Sequence, residues 1–157
     1  MSIESVRAFF AEKAPEIAVI ESPLSSATVA LAAQAYGVEP GRIAKTLSLR
    51  IGERALLIVT SGTSRMDNRK LKARFGGKPK MLGAEEVAEI TGHEVGGVCP
   101  FGLKTPLPIY CDVSLQAFDQ VVPAAGSTHS AVRIAPSRMA ELAGAEWVDV
   151  CQVPASP

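Results

Sequence analysis

The chain has 157 residues and a mass of 16.5 kDa, the size of one ordinary domain. Apolar residues make up 47% of it and no apolar run approaches the length of a membrane span, so dominant disorder and a transmembrane segment are excluded. The 16 basic and 16 acidic residues balance, which argues against a surface that binds nucleic acid everywhere. We expect one domain over residues 1–152, a tail over 153–157, no membrane or DNA partner and, because the acidic start lacks a signal-peptide stretch, a cytoplasmic location.

In chain order, the apolar pattern predicts short helices and strands joined mostly by tight turns. Helices are expected over 3–13, from a cap at Ser26 to a stop at Gly37, and over 67–75, 84–91 and 137–143. Strands are expected over 17–21, 43–51, 54–60, 79–81, 107–113, 120–124, 131–135 and 146–151, with the second and third forming a hairpin. Because the strands outnumber the helices and short turns join most neighbours, the sequence predicts an α+β domain with a curved, mainly antiparallel mixed sheet.

The three cysteines, Cys99, Cys111 and Cys151, give no sign of a disulfide framework or a metal site. They are odd in number and irregularly spaced, and no CxxC or cysteine–histidine ligand pattern occurs. We therefore expect no metal.

A lysine stands among apolar residues in the second predicted strand. Side chains alternate between the two faces of a strand, which places Lys45 with Ile43, Leu47, Leu49 and Ile51 on the predicted core face. An ammonium group in an apolar site costs several kcal/mol unless it is paired or its pKa drops. Lys45 therefore either extends from the strand end to water or is held in a pocket to bind a negative or polarised oxygen.

A second feature is the glycine-rich run from Gly96 through Gly97, Val98, Cys99, Pro100 and Phe101 to Gly102. Such a run is often a tight surface turn, but it also lets main-chain N–H groups approach an oxyanion or a sugar ester. It matches neither a P-loop nor a dinucleotide fingerprint.

The two histidines of the chain both lie in predicted loops. His129 follows Gly126 and Ser127 between two predicted strands and could be a general base, a hydrogen-bond donor or a solvated residue. His93 follows Gly92 at a predicted helix end, where a capping role is the better interpretation.

Taken together, three runs resemble the YbaK/ProX family of aminoacyl-tRNA deacylases, which is related to the editing insertion domain of bacterial prolyl-tRNA synthetase. They are Ile43-Ala44-Lys45-Thr46-Leu47, the segment Thr91–Gly102, and Tyr110-Cys111-Asp112. The resemblance extends from about residue 27 to 150, and the Lys-Thr-Leu strand is specific only together with the glycine loop.

The resemblance implies a barrel-like sheet wrapped by helices. It also implies hydrolysis of the ester in a mischarged tRNA, typically tRNA(Pro), with no cofactor and with prolyl-tRNA synthetase as a further partner. Lys45 matches the functional lysine of the family, Gly96–Pro100 match its substrate loop, and Asp112 matches an acidic position at a strand end. Implied catalytic residues are Lys45, Gly96, Gly97 and His129. Implied substrate contacts are Thr46, Val98, Cys99, Pro100, Phe101, Gly102, Asp112, Gly126 and Ser127.

One departure concerns the amino acid that is removed. Cysteine-specific members carry an aspartate in the last pocket loop, where this chain has Val132. This difference puts cysteine specificity in doubt and favours alanine or a similar short group, although pocket size, not sequence, decides between them.

A basic segment suggests where the tRNA backbone would bind. Residues 65–80 contain seven of the 16 basic residues and a single acid, Asp67. The segment is either a solvated helix face or a tRNA-backbone site made by Arg69, Lys70, Lys72 and Arg74, with salt-dependent affinity.

Two other functions remain open from the residues. A thiol hydrolase could use Cys99 with His129 or His93, because loop N–H groups can stabilise a thiolate. Alternatively, the same fold could serve as a non-catalytic module that binds tRNA or a synthetase.

Overall fold

A computed structural model describes residues 2–152, and the predicted tail over 153–157 lies outside them. The helices are α1 (Ser2–Lys13), α2 (Val29–Tyr36), α3 (Asn68–Phe75), α4 (Ala84–Thr91) and α5 (Pro136–Ala143). The strands are β1 (Ile20–Glu21), β2 (Ile43–Ile51), β3 (Arg54–Ser61), β4 (Pro79–Met81), β5 (Ile109–Asp112), β6 (Val122–Pro123), β7 (Ser130–Ala131) and β8 (Glu146–Val148). Short 3₁₀ turns cover Pro40–Arg42 and Val113–Ala117. The predicted α+β class is confirmed.

The main sheet is mixed, with strand order β4-β2-β3-β5-β8 and β6 beside β2. β2 pairs antiparallel with β3 and β4, whereas the β2–β6, β3–β5 and β5–β8 pairs are parallel. Parallel neighbours need long crossovers, and the segments leading to β5 and β8 contain α3, α4 and α5. β4 and β8 are the two ends of this strand order and do not pair with each other. The sheet of the described residues therefore does not close into a barrel. A separate antiparallel pair joins β1 and β7.

Apolar side chains cover both faces of β2. Leu49 and Ile51 pack in one cluster with Leu71 and Phe75 of α3. Ala44, which points the other way, belongs to the cluster that α1 and the glycine-rich loop cover. The expectation of a single core face on this strand is therefore wrong, because helices and loops pack on both sides of the sheet.

Capping residues define where α3 and α2 begin and where α3 ends. Asp67 caps α3 by accepting hydrogen bonds from the Arg69 and Lys70 N–H groups, and Gly76 ends it in the left-handed conformation. For α2, Thr28 is the N-cap in place of the predicted Ser26, whose hydroxyl instead donates to the Thr128 carbonyl at 2.9 Å. The start of α2 is thereby tied to the loop before β7.

Candidate functional site

A cavity of about 240 Å³ lies beside β2, between the N-terminal turn of α2 and the loop that follows α4. Its walls are largely alanine and valine side chains, and its polar lining consists of hydroxyl groups and one lysine. The lining residues are Ser26, Ala27, Thr28, Val29, Ala32, Tyr36, Ile43, Ala44, Lys45, Thr46, Ser48, Met81, Leu82, Val87, Val95, Gly96, Val98, Val122, Ala124, Ser130 and Ala131. Within residues 2–152, no carboxylate or imidazole belongs to this lining.

The cavity lies along an interruption in the pairing of β2. On the edge away from β3, β6 pairs with Ile43 and Ala44, and β4 pairs with residues 49–51. The Leu82 N–H extends the second contact to the Ser48 carbonyl at 3.0 Å. Peptide groups alternate in direction along a strand, so Thr46, two residues before Ser48, directs its N–H and C=O to the same edge. No described strand pairs with Thr46 there.

Lys45 lines the cavity, and its amine is fixed by the main chain that follows β3. Nζ donates to the Ser64 carbonyl at 2.6 Å and to the Gly62 carbonyl at 3.3 Å. Burial is the main cause of a lowered pKa for this amine, with Cys151 opposing the shift and Arg65 adding to it. The amine is therefore partly buried and held in place, and one of its three N–H donors remains for a ligand.

Gly96 and Val98 are the members of the glycine-rich loop that line the cavity. Among the described residues, no hydrogen bond engages the N–H group of either residue. Gly97 differs, because its N–H donates to the Glu94 carbonyl at 2.9 Å and a Cβ atom there would lie 2.6 Å from the Ser127 nitrogen. This glycine therefore permits close packing of two loops, and the catalytic use of its N–H stays a prediction.

The rest of the glycine-rich loop belongs to the core and does not line the cavity. Cys99 and Phe101 are fully buried, and Phe101 packs against Phe10 of α1 with 4.8 Å between ring centroids. Pro100 is also buried, and the Gly102 carbonyl accepts a hydrogen bond from Ser5 of α1. Because α1 covers this part of the loop, a packing role is favoured for Cys99, Pro100, Phe101 and Gly102, and their substrate contacts stay predictions.

Asp112, whose substrate contact stays a prediction, is hydrogen-bonded to the main chain. It is buried, and its carboxylate accepts hydrogen bonds from the Ser114 N–H at 2.9 Å and the Val150 N–H at 2.8 Å. The side chain therefore joins the end of β5 to the segment after β8.

His129 is exposed and does not line the cavity. Its Nδ1 lies 2.9 Å from the Thr128 hydroxyl. Gly126 and Ser127 are also absent from the lining; the Gly126 N–H donates to the Gly97 carbonyl, and the Ser127 hydroxyl lies 2.7 Å from that of Ser130. This loop supports the cavity wall through Ser130, whereas the direct roles expected of His129, Gly126 and Ser127 stay predictions.

His93 is a core residue and not a helix cap. Its Nε2 lies 2.8 Å from the Phe101 carbonyl and 3.6 Å from the Cys99 sulfur. Burial lowers the pKa of His93 and raises the pKa of the Cys99 thiol to about 12. A thiolate nucleophile at Cys99 is therefore disfavoured, and the thiol-hydrolase alternative loses its chemical basis.

Several cavity residues were not predicted from the sequence, among them Tyr36, Val87, Val95 and Ser130. The hydroxyl of Tyr36 lies near Ser26 without a well-formed hydrogen bond, and the buried Thr46 Oγ1 makes none within the described residues. No local signal indicated that the buried face of α2 meets β2 across a cavity.

Two of the four α3 side chains predicted to bind the tRNA backbone, Lys70 and Arg74, make polar contacts within the protein. Lys70 donates to the Asp149 carboxylate at 3.0 Å and to the Cys151 carbonyl at 2.8 Å, and Arg74 pairs with Glu146. Arg69 and Lys72 are exposed, and no ion pair joins them to another described residue. Of the four predicted backbone-binding residues, Arg69 and Lys72 are therefore the ones left available to a tRNA backbone, and the site stays a prediction.

Residues 2–152 contain neither a membrane-spanning helix nor a metal-binding cluster. No helix there is long and apolar enough to cross a bilayer. No group of three or more histidine, cysteine, aspartate or glutamate side chains is arranged there to hold a metal ion.

Comparison with known proteins identifies the family. The family model for the aminoacyl-tRNA editing domain matches residues 25–142, which include the cavity-lining parts of α2, β2 and the glycine-rich loop. The chain belongs to the aminoacyl-tRNA editing domain family. The resemblance to the YbaK/ProX deacylases is thereby confirmed, as is the enzyme class, an aminoacyl-tRNA hydrolase.

Relatives cover nearly the whole chain. The YwhH protein of Bacillus subtilis is 47% identical over 154 residues, which span 97% of this chain and 98% of the relative. EbsC of Enterococcus faecalis, named as a candidate Cys-tRNA(Pro)/Cys-tRNA(Cys) deacylase, is 30% identical and covers 86% of this chain and 82% of its own. A crystal structure described as a candidate trans-editing enzyme for prolyl-tRNA synthetase matches with a TM-score of 0.89 and 35% identity, over 97% of this chain and 98% of that one.

Proposed function

We propose that the protein is a trans-editing deacylase of the cytoplasm that hydrolyses mischarged tRNA(Pro) carrying a small amino acid, alanine-like or cysteine. The observation that carries this proposal is that Lys45, Thr46 and Gly96 line one small cavity. The names of EbsC and of the trans-editing structure support tRNA(Pro), and prolyl-tRNA synthetase is the partner from which the substrate would come.

The size of the cavity favours a small amino acid. A volume of about 240 Å³ must hold the side chain together with the ester, between walls that include Ala32, Ala44 and Val98. One methylene in such a pocket discriminates by about 1–3 kcal/mol. Alanine and cysteine fit this description better than long or aromatic side chains.

The unengaged N–H groups of Gly96 and Val98 are suited to the ester oxygen, on which negative charge develops during hydrolysis. The remaining N–H donor of Lys45 can hold a second oxygen of the ester or ribose. Because the main chain fixes both kinds of donor beforehand, they need no rearrangement when the charge appears.

The attacking water is positioned by the substrate in this scheme. The cavity lining within residues 2–152 contains no carboxylate or imidazole, and His129 lies outside it. The ribose hydroxyl next to the ester is then the group that orients the water or accepts its proton. Most of the rate enhancement would come from position and from charge stabilisation.

The test is hydrolysis of a panel of tRNA(Pro) acceptor-stem substrates charged with alanine, cysteine or proline. We expect hydrolysis of alanyl or cysteinyl esters and sparing of the prolyl ester. Lys45→Ala should lower kcat/KM by about 10²-fold, the usual effect of removing one charge-stabilising donor. Lys70→Ala is the matched control, because Lys70 also donates to a main-chain carbonyl but lies outside the cavity.

Full activity of Lys45→Ala would refute the assignment of the lysine. Binding of the charged stems without hydrolysis of any ester would instead identify the chain as a non-catalytic module.

A further inference from the structure

The gap in pairing along one edge of β2 points to the way in which the aminoacyl group is held. We propose that the substrate completes the sheet there: its N–Cα–C(=O) unit acts as a strand one residue long and pairs with the main chain of Thr46. This inference rests on the proposed function, since it concerns the same cavity and the same ester.

The register of the neighbouring strands leaves space for one residue. β6 ends its pairing with β2 at Ala44, and the contact from the β4 side ends at Ser48. In an antiparallel pair, the peptide groups that face one edge recur every second residue, so Thr46 alone is left between these two positions. The cavity is lined by all three residues, and it therefore opens onto this edge.

The chemistry of an aminoacyl ester matches that edge. The α-amino group and the ester carbonyl stand on either side of one Cα, as the N–H and C=O of a peptide residue do. The Thr46 N–H donates to the ester carbonyl, and the Thr46 C=O accepts from the α-amino group. A carbonyl oxygen has two lone pairs, so it can accept from Thr46 and from a loop N–H together.

The lining of the cavity leaves the α-amino group few other partners. With no carboxylate within the described lining, its acceptors are hydroxyl groups and main-chain carbonyls. Thr46 supplies one of these acceptors, its main-chain carbonyl, at the edge of β2 that no described strand pairs.

The first measurement compares two stable ligands, 3′-alanylamino-3′-deoxyadenosine and its propionylamino analogue, which lacks the α-amino group. We expect the propionyl ligand to bind about two- to tenfold more weakly by calorimetry, the effect of one net hydrogen bond. Equal affinity, or no binding of the alanyl ligand, would overturn the proposal.

The second measurement removes the main-chain donor. Incorporating the α-hydroxy acid analogue of threonine at position 46 replaces its N–H by oxygen and keeps the side chain. We expect a loss of affinity for the alanyl ligand of about two- to tenfold, with an unchanged Tm because no strand uses this N–H. Thr46→Val, which keeps the main chain, should retain the preference for the alanyl ligand.

Unchanged binding by the hydroxy-acid protein would also overturn the proposal. Hydrolysis of charged stems by the wild-type protein is scored separately. Hydrolysis with equal binding of the two ligands would support the enzyme function and refute the pairing with Thr46. A preference for the alanyl ligand without hydrolysis would support the pairing and refute the enzyme function.

Discussion

Replacing Gly97 by alanine would push a methyl group into the main chain of the neighbouring loop. The added Cβ would lie 2.6 Å from the Ser127 nitrogen, 2.7 Å from its Cα and 2.8 Å from its carbonyl carbon. Real Cβ contacts are not this short, and a main chain cannot turn aside as a flexible side chain can. The Gly97→Ala protein must therefore separate the two loops.

Overpacking of this kind costs about 1–3 kcal/mol. For a chain of this size, a loss of 2 kcal/mol lowers the Tm by about 4–8 °C. Because Ser130 lines the cavity and its hydroxyl contacts Ser127, the same displacement moves the cavity wall. A misplacement of about 1 Å can lower kcat/KM by about 10²-fold, so we expect activity and stability to fall together.

Thermal unfolding and deacylation of a charged acceptor stem are the two assays, with Gly83→Ala as the matched control. Gly83 precedes α4 with φ −69°, and a Cβ there meets no atom within 4 Å. Its replacement should change stability by less than about 1 kcal/mol. A Gly97→Ala protein that keeps the wild-type Tm but loses activity would refute the packing argument and restore a direct role for Gly97 at the substrate.

The remaining predictions concern pH and tRNA affinity. Burial lowers the pKa of His93 and raises the pKa of the Cys99, Cys111 and Cys151 thiols to about 12, so stability should fall as the pH drops below 6.5 or rises above 9.0, where only the unfolded chain changes its protonation. Urea unfolding from pH 5 to 10 should show this window, and an alkaline loss equally large in Cys99→Ala would contradict the assignment to that thiol. Reversing Arg69 and Lys72 to glutamate should weaken tRNA binding and make the plot of log affinity against log salt shallower by about two units. Lys13→Glu on α1 is the control, and an unchanged salt dependence in the α3 variant would rule out a tRNA contact there.

The elements that local signals define were predictable from the sequence. The β2–β3 hairpin follows from two alternating apolar runs around Gly52, and α3 follows from Asp67 and Gly76 at its ends. The parallel pairing of β3 with β5 was not, because it depends on where a long crossover returns the chain.

The candidate site was also predictable only in part from the sequence. Lys45 stood out because a charge at an apolar position is a local anomaly, but the carbonyl groups that hold its amine lie 17 and 19 residues further along the chain. No local pattern distinguished the buried His93 from the exposed His129, and neither imidazole lines the cavity. The burial of His93 depends on Phe101 and α1, which only the tertiary fold brings together.

The gap in pairing along the edge of β2 also has a consequence for aggregation. An unpaired strand edge usually invites another protein to add a strand and begin aggregation. Here β4 and β6 flank the open stretch closely, and the lining residues of α2 and the glycine-rich loop stand beside it. A polypeptide from a second molecule cannot extend past these neighbours, so the protein can keep main-chain hydrogen-bonding groups open to a small molecule without exposing a template for self-association.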